Sequence, residues 1–428
     1  MVAYHFPPLA GSSGIQRTLR FVQHLPSFGW QPLVLTADPR AYERTSPDLQ
    51  EALPPGTVVE RAFALDTARH LSIGGRYIAA MARPDRWMTW QFAAVRQGLR
   101  MIRKYRPDVV WSTYPIATAH LIAAELARRS GLPWVADFRD PMAQDGYPAD
   151  PATWRSFKAI EETAIAQARL CIFTTPGAVR LYRTRYPASA ARIHALENGY
   201  DEDSFVRAEA VLATAGAAEP LTPGATTLLH SGIVYPSERD PTQLFAAVRR
   251  LREGDLASPE TLRLRFRAAV HDATIRSLAQ QHEVLDFVEV LPPIPYADAL
   301  IEMLRADGLL VLQASNCNEQ VPAKIYEYMR ARRPIVCLSD PAGDTAAVLR
   351  GSGVTRIAAL DDAAQIANLL ASFLRGERSG FSAERSQVDL ASRWNRSAAL
   401  ARLLEQSLSA PVPGSRDDAA VLARTLAA

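Results

Sequence analysis

Lysine is nearly absent from this chain: only Lys104, Lys158 and Lys324 stand among its 48 basic residues. Cysteine is as scarce, with Cys171, Cys317 and Cys337 forming no Cys-x-x-Cys pair. That excludes a disulfide framework and a structural zinc site and points to a reducing compartment. Two of the three lie inside apolar runs, where cysteine acts as a small hydrophobe. No apolar run approaches the ~18 residues of a spanning helix, and Met1-Val-Ala-Tyr-His-Phe-Pro-Pro8 has no basic leader followed by an apolar stretch. A cytoplasmic protein is expected. The net charge of +3 is too small to indicate nucleic acid, and paired zinc-ligand spacings and aromatic RNA-binding stripes are missing.

What is present is length and alternation. A chain of 428 residues exceeds what one core usually supports, so two domains are expected. Short β-rich apolar runs alternate with longer amphipathic segments, the pattern of an α/β protein with parallel sheets covered by helices. Strands are expected at 31–35, 108–112, 134–138 and 170–174, then at 226–232, 264–270, 286–290, 309–312, 334–338 and 354–358. The expected division is a first Rossmann-like domain over 1–202, a linker over 203–224, a second over 225–387, one long helix over 388–408 and a tail over 409–428. In paired doubly wound domains, ligands bind beyond the strand C-termini, so a cleft between domains is the expected site.

The richest segment is Ser315-Asn-Cys-Asn-Glu-Gln-Val-Pro-Ala-Lys-Ile-Tyr-Glu327, a strand end, a polar loop and a helix. Pro322 suits a first helical position, which starts the helix near Val321. Its free amides and the positive end of its dipole make an anion site, and Lys324 adds a full charge, so a diphosphate is the expected guest. One of only three lysines stands here, and a compact ammonium accounts for that exception better than arginine would. Glu319 and Glu327 carry no weight by spacing alone, since 21 glutamates in this length produce about one such pair by chance. Their placement carries the reading: Glu319 in the loop, Glu327 further along the helix.

This segment resembles the Glu, seven residues, Glu signature of family 4 retaining glycosyltransferases. Phe6-Pro-Pro-Leu-Ala-Gly-Ser-Ser-Gly-Ile-Gln-Arg17, Glu197-Asn-Gly-Tyr-Asp201, His230-Ser-Gly232 with Arg239-Asp-Pro241, and Pro292-Pro-Ile-Pro-Tyr-Ala-Asp-Ala-Leu300 look like further elements of that family. The resemblance implies the GT-B fold: two Rossmann-like doubly wound domains, an interdomain cleft and a C-terminal crossover helix. It assigns Glu319 to the donor sugar, Glu327 to the nucleoside ribose, and Arg239 with Lys324 to the departing diphosphate. Gly14, Gly232, His271 and Val321 join them as donor contacts. Arg17, Asp137, Arg139 and Asp140 are acceptor or sugar candidates. Many members carry a histidine near Asp137 and this chain does not, which leaves the general base unassigned. No bound cofactor and no metal are expected. Asp201-Glu-Asp203 imitates an Asp-x-Asp metal motif, but its place beside the linker reads as a solvated loop.

Between Arg61 and Arg106 ten basic residues face two acidic ones, interleaved with Tyr77, Trp87, Trp90, Phe92 and Tyr105. A basic aromatic face adheres to anionic bilayers; a solvated helix face with core aromatics is the other reading. The expected partners are a nucleotide sugar, a glycan or lipid-linked acceptor, and the inner face of the cell membrane through 61–106, with no nucleic acid. The expected activity is sugar transfer with retention in surface polysaccharide or glycolipid biosynthesis. The alternatives are a nucleotide-sugar epimerase and a non-catalytic sugar-nucleotide-binding protein.

Overall fold

The computed structural model describes residues 1–11, 14–46, 52–214 and 219–410. The chain forms two compact units, Met1–Glu197 with the segment from Arg393, and Asn198–Ser392.

The first unit contains β1 (Leu33–Ala37), β2 (Val58–Ala62), β3 (Val110–Thr113), β4 (Trp134–Arg139), β5 (Leu170–Phe173) and β6 (Ile193–Ala195). All pairings are parallel. Val2 bridges Leu35 on one side and Ser112 on the other, so the N-terminal segment lies between β1 and β3. The order is thus β2, β1, Val2, β3, β4, β5, β6. β3 and β5 are buried along their whole length, as expected where helices cover both faces of a parallel sheet. Trp90, Trp134, Phe138, Phe173 and Tyr182 fill the core around them. β2 and β6, short and interrupted by charged or polar residues, were not expected from the sequence.

The second unit holds β7 (Thr226–Ser231), β8 (Leu262–Arg267), β9 (Val288–Leu291), β10 (Gly308–Gln313), β11 (Ile335–Ser339) and β12 (Ile357–Ala358) in one parallel sheet ordered β12-β11-β10-β7-β8-β9. All six expected strands are present, the last cut to two residues. Helices Thr242–Glu253 and Ala363–Leu374 pack against each other, as do Tyr296–Arg305 and Glu202–Thr214.

Three expectations are corrected. Residues 203–224 are not a plain linker, because Glu202–Thr214 is helical. Asp201 starts that helix: its carboxylate accepts from the Ser204 amide at 3.1 Å, and Glu202 and Asp203 in the first turn complement the dipole. Asp201 is buried at 2% exposure, so Asp201-Glu-Asp203 is a helix start and not a solvated loop. The long helix expected over 388–408 is two, Arg385–Leu390 and Arg393–Ser409. Between them Ala391 accepts from the Tyr200 amide at 3.2 Å and Ser392 bridges Tyr200, a pairing that continuous helix would forbid.

Candidate functional site

β7 and β10 are neighbours, yet from β7 the chain winds outward through β8 and β9, and from β10 the other way through β11 and β12. This is a topological switch point, where loops from the two strands part and leave a crevice for a ligand. The β7 loop carries Gly232 and Arg239. It is fastened to the β10 loop: Ala314 donates to the Glu238 carbonyl at 2.8 Å, and the Asn316 amide group to the Ser237 carbonyl at 2.9 Å. The β10 loop is held from its other side, where Asn318 donates to Asp340 at 2.6 Å, Asp344 donates to the Asn318 carbonyl at 2.8 Å and Thr345 to the Gln320 carbonyl at 3.0 Å. Glu319 projects from this pinned loop and is exposed.

The helix that follows runs Lys324–Ala331, later than the Pro322 rule places it. Pro322 lies before the cap residue Ala323, and its carbonyl accepts from the Ile325 amide at 3.0 Å. Lys324 is therefore the first helical residue and Glu327 the fourth. Among the described residues the amides of Val321, Ala323 and Lys324 make no hydrogen bond, the condition for an anion-binding helix start. The Val321 side chain is buried in the core, so its contribution to a ligand is its backbone.

Lys324 crosses to β7. Its ammonium lies 2.9 Å from His230 Nε2, while His230 Nδ1 lies 2.9 Å from the Leu310 carbonyl. A carbonyl only accepts, so Nδ1 carries the proton and Nε2 offers its lone pair to Lys324. Burial, then the ammonium, hold His230 well below the usual histidine range. Burial and the Arg239 guanidinium push Lys324 well below the usual lysine range, and Glu327 opposes them. Lys324 forms no ion pair among the described residues. Arg239 donates to the Ile233 carbonyl at 2.8 Å and lies over Tyr235, while its Nε is buried with no partner among the described residues. Lys324 and Arg239 thus stand at the switch point with no ion pair to a carboxylate among the described residues. Gly232, at φ 111°, makes room: a Cβ there would lie 3.1 Å from the Lys324 Nζ. Glu327 accepts from the Tyr296 hydroxyl at 2.7 Å. Tyr328 accepts from the Ser231 amide at 2.9 Å, tying the helix to the end of β7. His271 precedes helix Asp272–Gln281 and lines a cavity of about 240 Å³ with Asp240, Thr242 and Thr274. Lys324 and Glu327 are not among the residues lining that cavity.

In the first unit, helix Gly14–His24 follows the N-terminal segment. A Cβ on Gly14 would meet His5 Nδ1 at 2.5 Å and an Arg139 Nη at 2.7 Å, so only glycine fits. Arg139 sits at φ 61°, and its Nε is buried with no partner among the described residues. Asp140 beside it is exposed. Burial, with Arg139 nearby, lowers His5 to about 4. Arg17 and Asp137, expected as sugar or acceptor contacts, are instead locked together. Arg17 Nε and Nη2 reach the two Asp137 oxygens at 2.9 and 3.0 Å, Thr113 donates to the same carboxylate at 3.0 Å, and Asp137 is fully buried. Arg17 also donates to the Leu196 and Glu197 carbonyls. The pair fastens helix Gly14–His24 to β4 and to the end of the unit, and leaves Arg139, Asp140, Gly14 and His5 around the strand ends.

The segment 61–106 splits by residue. Trp90 is fully buried and Trp87 packs against the core, so neither belongs to an adhesive face. Phe92 (74% exposed), Ile73 (88%) and Ile78 (69%) do lie open, the last two flanking a turn at Gly74-Gly75 with Arg76 beside them.

Placement at a strand-to-helix turn pointed to Lys324 and the glutamates and the family resemblance to Arg239, but neither pointed to His5, Tyr328, the Tyr296 contact to Glu327 or the pairing of His230 with Lys324. The one available signal was position: His230 and Tyr296 each stand within a few residues of a strand end.

Residues 13–199 match the model of the glycosyl transferase 4-like domain. No curated protein sequence matches the chain. Among solved structures it is similar to a sucrose-phosphate synthase from Thermosynechococcus elongatus, at 16% identity and a TM-score of 0.66, covering 96% of this chain and 99% of that one. It is similar to Anabaena HepE in complex with UDP-glucose at 12% identity and a TM-score of 0.55, over 100% and 99% of the two chains. It is also similar to WaaG, a glycosyltransferase involved in lipopolysaccharide biosynthesis, at 14% and 0.55, over 97% and 100%. Residues 13–199 are therefore similar to the glycosyl transferase 4-like domain, and the chain has the GT-B fold of two Rossmann-like units.

Proposed function

We propose that the protein transfers a sugar from a nucleoside-diphosphate donor to a glycan or lipid-linked acceptor, with retention of anomeric configuration. The observation that carries this reading is the pair Lys324 and Arg239, two cations without carboxylate partners among the described residues, at the β7/β10 switch point beside unpaired helix amides. HepE, similar in fold, is described with UDP-glucose bound.

In this reading the bond from the sugar anomeric carbon to the phosphate oxygen breaks, and one from that carbon to the acceptor oxygen forms on the same face. The departing phosphate takes the acceptor proton. Lys324, Arg239 and the amides of Val321, Ala323 and Lys324 stabilise the charge that develops on the diphosphate, commonly the largest catalytic term. They supply the counter-charge that a metal provides in other transferases. Glu319 contacts the donor sugar. Glu327, oriented by Tyr296, accepts from the ribose hydroxyls, and His271 contributes to the donor side. In the first unit, Gly14 and its helix start approach phosphate, and Arg139 and Asp140 contact sugar or acceptor. Arg17 and Asp137 serve by holding that unit's strand ends. The acceptor reading includes work at the cytoplasmic face of an anionic membrane, in building a surface polysaccharide or glycolipid.

The test is a thermal-shift screen against UDP-, GDP- and dTDP-sugars with wild type, Lys324→Met and Arg239→Leu. One nucleotide class should raise the wild-type melting temperature and leave both variants unmoved. A shift equal in all three proteins would sink the reading.

A further inference from the structure

Cations that bind phosphate are commonly oriented by a carboxylate, which also cancels their charge. Lys324 is oriented differently. Its ammonium donates to a neutral, buried imidazole, at 2.9 Å from His230 Nε2, and that imidazole is itself locked by the Leu310 carbonyl at 2.9 Å from Nδ1. The surroundings include the Ile233 carbonyl, which accepts from Arg239 at 2.8 Å and also faces His230, Arg239 itself from the β7 loop, Glu327 one turn along the same helix, and Tyr328, whose oxygen accepts from Ser231. Gly232 closes the other side without a side chain, 3.1 Å from the ammonium to the position a Cβ would take.

We propose that His230 is a positioning residue for Lys324, a neutral acceptor that aims the ammonium at a nucleoside diphosphate while leaving its whole charge for that ligand. The role rests on the donor reading above. A proton on His230 Nε2 in addition to the Lys324 ammonium would set two cations 2.9 Å apart beside Arg239, so beyond the Nδ1 proton of His230 the pair holds at most one charge-bearing proton. The Leu310 carbonyl keeps Nδ1 protonated, and the single shared proton resides on Lys324 when an anion is near. Because burial and Arg239 make Lys324 easier to deprotonate in the free protein, a bound diphosphate draws a proton back. The sign follows: affinity is full below the free-state pKa of Lys324 and declines as pH rises through it. Proton uptake on binding appears between the free and the bound values.

Two substitutions separate positioning from packing. His230→Gln places a carboxamide oxygen near the Nε2 position, so it still accepts from Lys324 but cannot titrate. His230→Leu removes the acceptor. Calorimetric titration of UDP and GDP into wild type and both variants, across roughly pH 6 to 9 and in two buffers of different ionisation enthalpy, measures affinity and proton uptake together. The wild type should take up a proton on binding. His230→Leu should bind about tenfold more weakly with a displaced pH profile, as expected for loss of one charge-assisted hydrogen bond. His230→Gln should stay within about threefold of wild type. Nitrogen-15 NMR of the wild-type histidines should show one neutral imidazole protonated on Nδ1 throughout, a result that holds even where the leucine variant fails to fold. Equal affinities and identical pH profiles in all three proteins, or a His230 protonated on Nε2, would overturn the role. Absence of UDP and GDP binding in wild type, with the Nδ1 tautomer intact, would instead overturn the donor reading and the role with it.

Discussion

Arg330 and Glu202 form a bidentate ion pair, Nε to one oxygen and Nη2 to the other, each at 2.7 Å. Arg330 is six residues beyond Lys324 on the same helix, and Glu209 takes a second pair of its hydrogen bonds at 2.7 and 3.1 Å. The guanidinium, 3% exposed, also stacks over Phe205. Helix Glu202–Thr214 is thus the brace that holds helix Lys324–Ala331 in place.

Replacing Arg330 by Met should lower stability by about 2 kcal/mol, because the carboxylates are half exposed and regain water while the guanidinium contacts vanish. Urea unfolding measures this. Diphosphate affinity should fall as well, although Arg330 touches no ligand in this account.

Gly232→Ala combines strain with obstruction. The positive φ disfavours any side chain by about 1 kcal/mol, and the new Cβ crowds the Lys324 ammonium. Gly224→Ala provides the control, since its φ is 82° and nothing lies within 4 Å. Both should lose stability, but only Gly232→Ala should lose nucleotide affinity, by about fivefold or more. Paired melting and binding measurements distinguish them.

Stability should decline on acidification below the ordinary histidine range. His120 is fully buried, with Nδ1 2.8 Å from the Ser112 hydroxyl, and burial lowers it to about 4. The folded value lies below the unfolded one, so the unfolded chain binds more protons between about 6.5 and 4, and stability is lost as pH falls through that window. His120 alone accounts for on the order of 3 kcal/mol across it. His120→Gln should flatten that part of a plot of unfolding free energy against pH.

If the open residues of the first unit meet an anionic bilayer, Ile73→Ser with Ile78→Ser should reduce co-sedimentation with phosphatidylglycerol vesicles by about tenfold, and salt should release the wild type. Binding unchanged by both treatments would remove the membrane from the account.

The alternation of strands and helices was legible because parallel strands covered on both faces are nearly continuous apolar runs, as at Leu170–Phe173 and Gly308–Gln313. Val58–Ala62, with Glu60 and Arg61 inside it, hides that signal. Helix Glu202–Thr214 was concealed by an alanine-rich composition, and its brace to Arg330 spans 128 residues. Lys324 was legible because it is rare and stands at a strand-to-helix turn. Its acceptor, His230, lies 94 residues earlier, and only the sheet order brings the two together. Arg17 and Asp137 misled for the same reason: charged residues near strand ends read as ligand contacts until their partner, 120 residues away, is seen.

The most direct test of the central claim is transfer of radiolabelled sugar from the nucleotide class that binds, into membrane extract, by wild type and by folded Glu319→Gln. Label should enter an acceptor with release of nucleoside diphosphate, and the variant should lose activity by about a hundredfold or more. Full activity in Glu319→Gln, or conversion of the sugar nucleotide without any acceptor, would contradict the account.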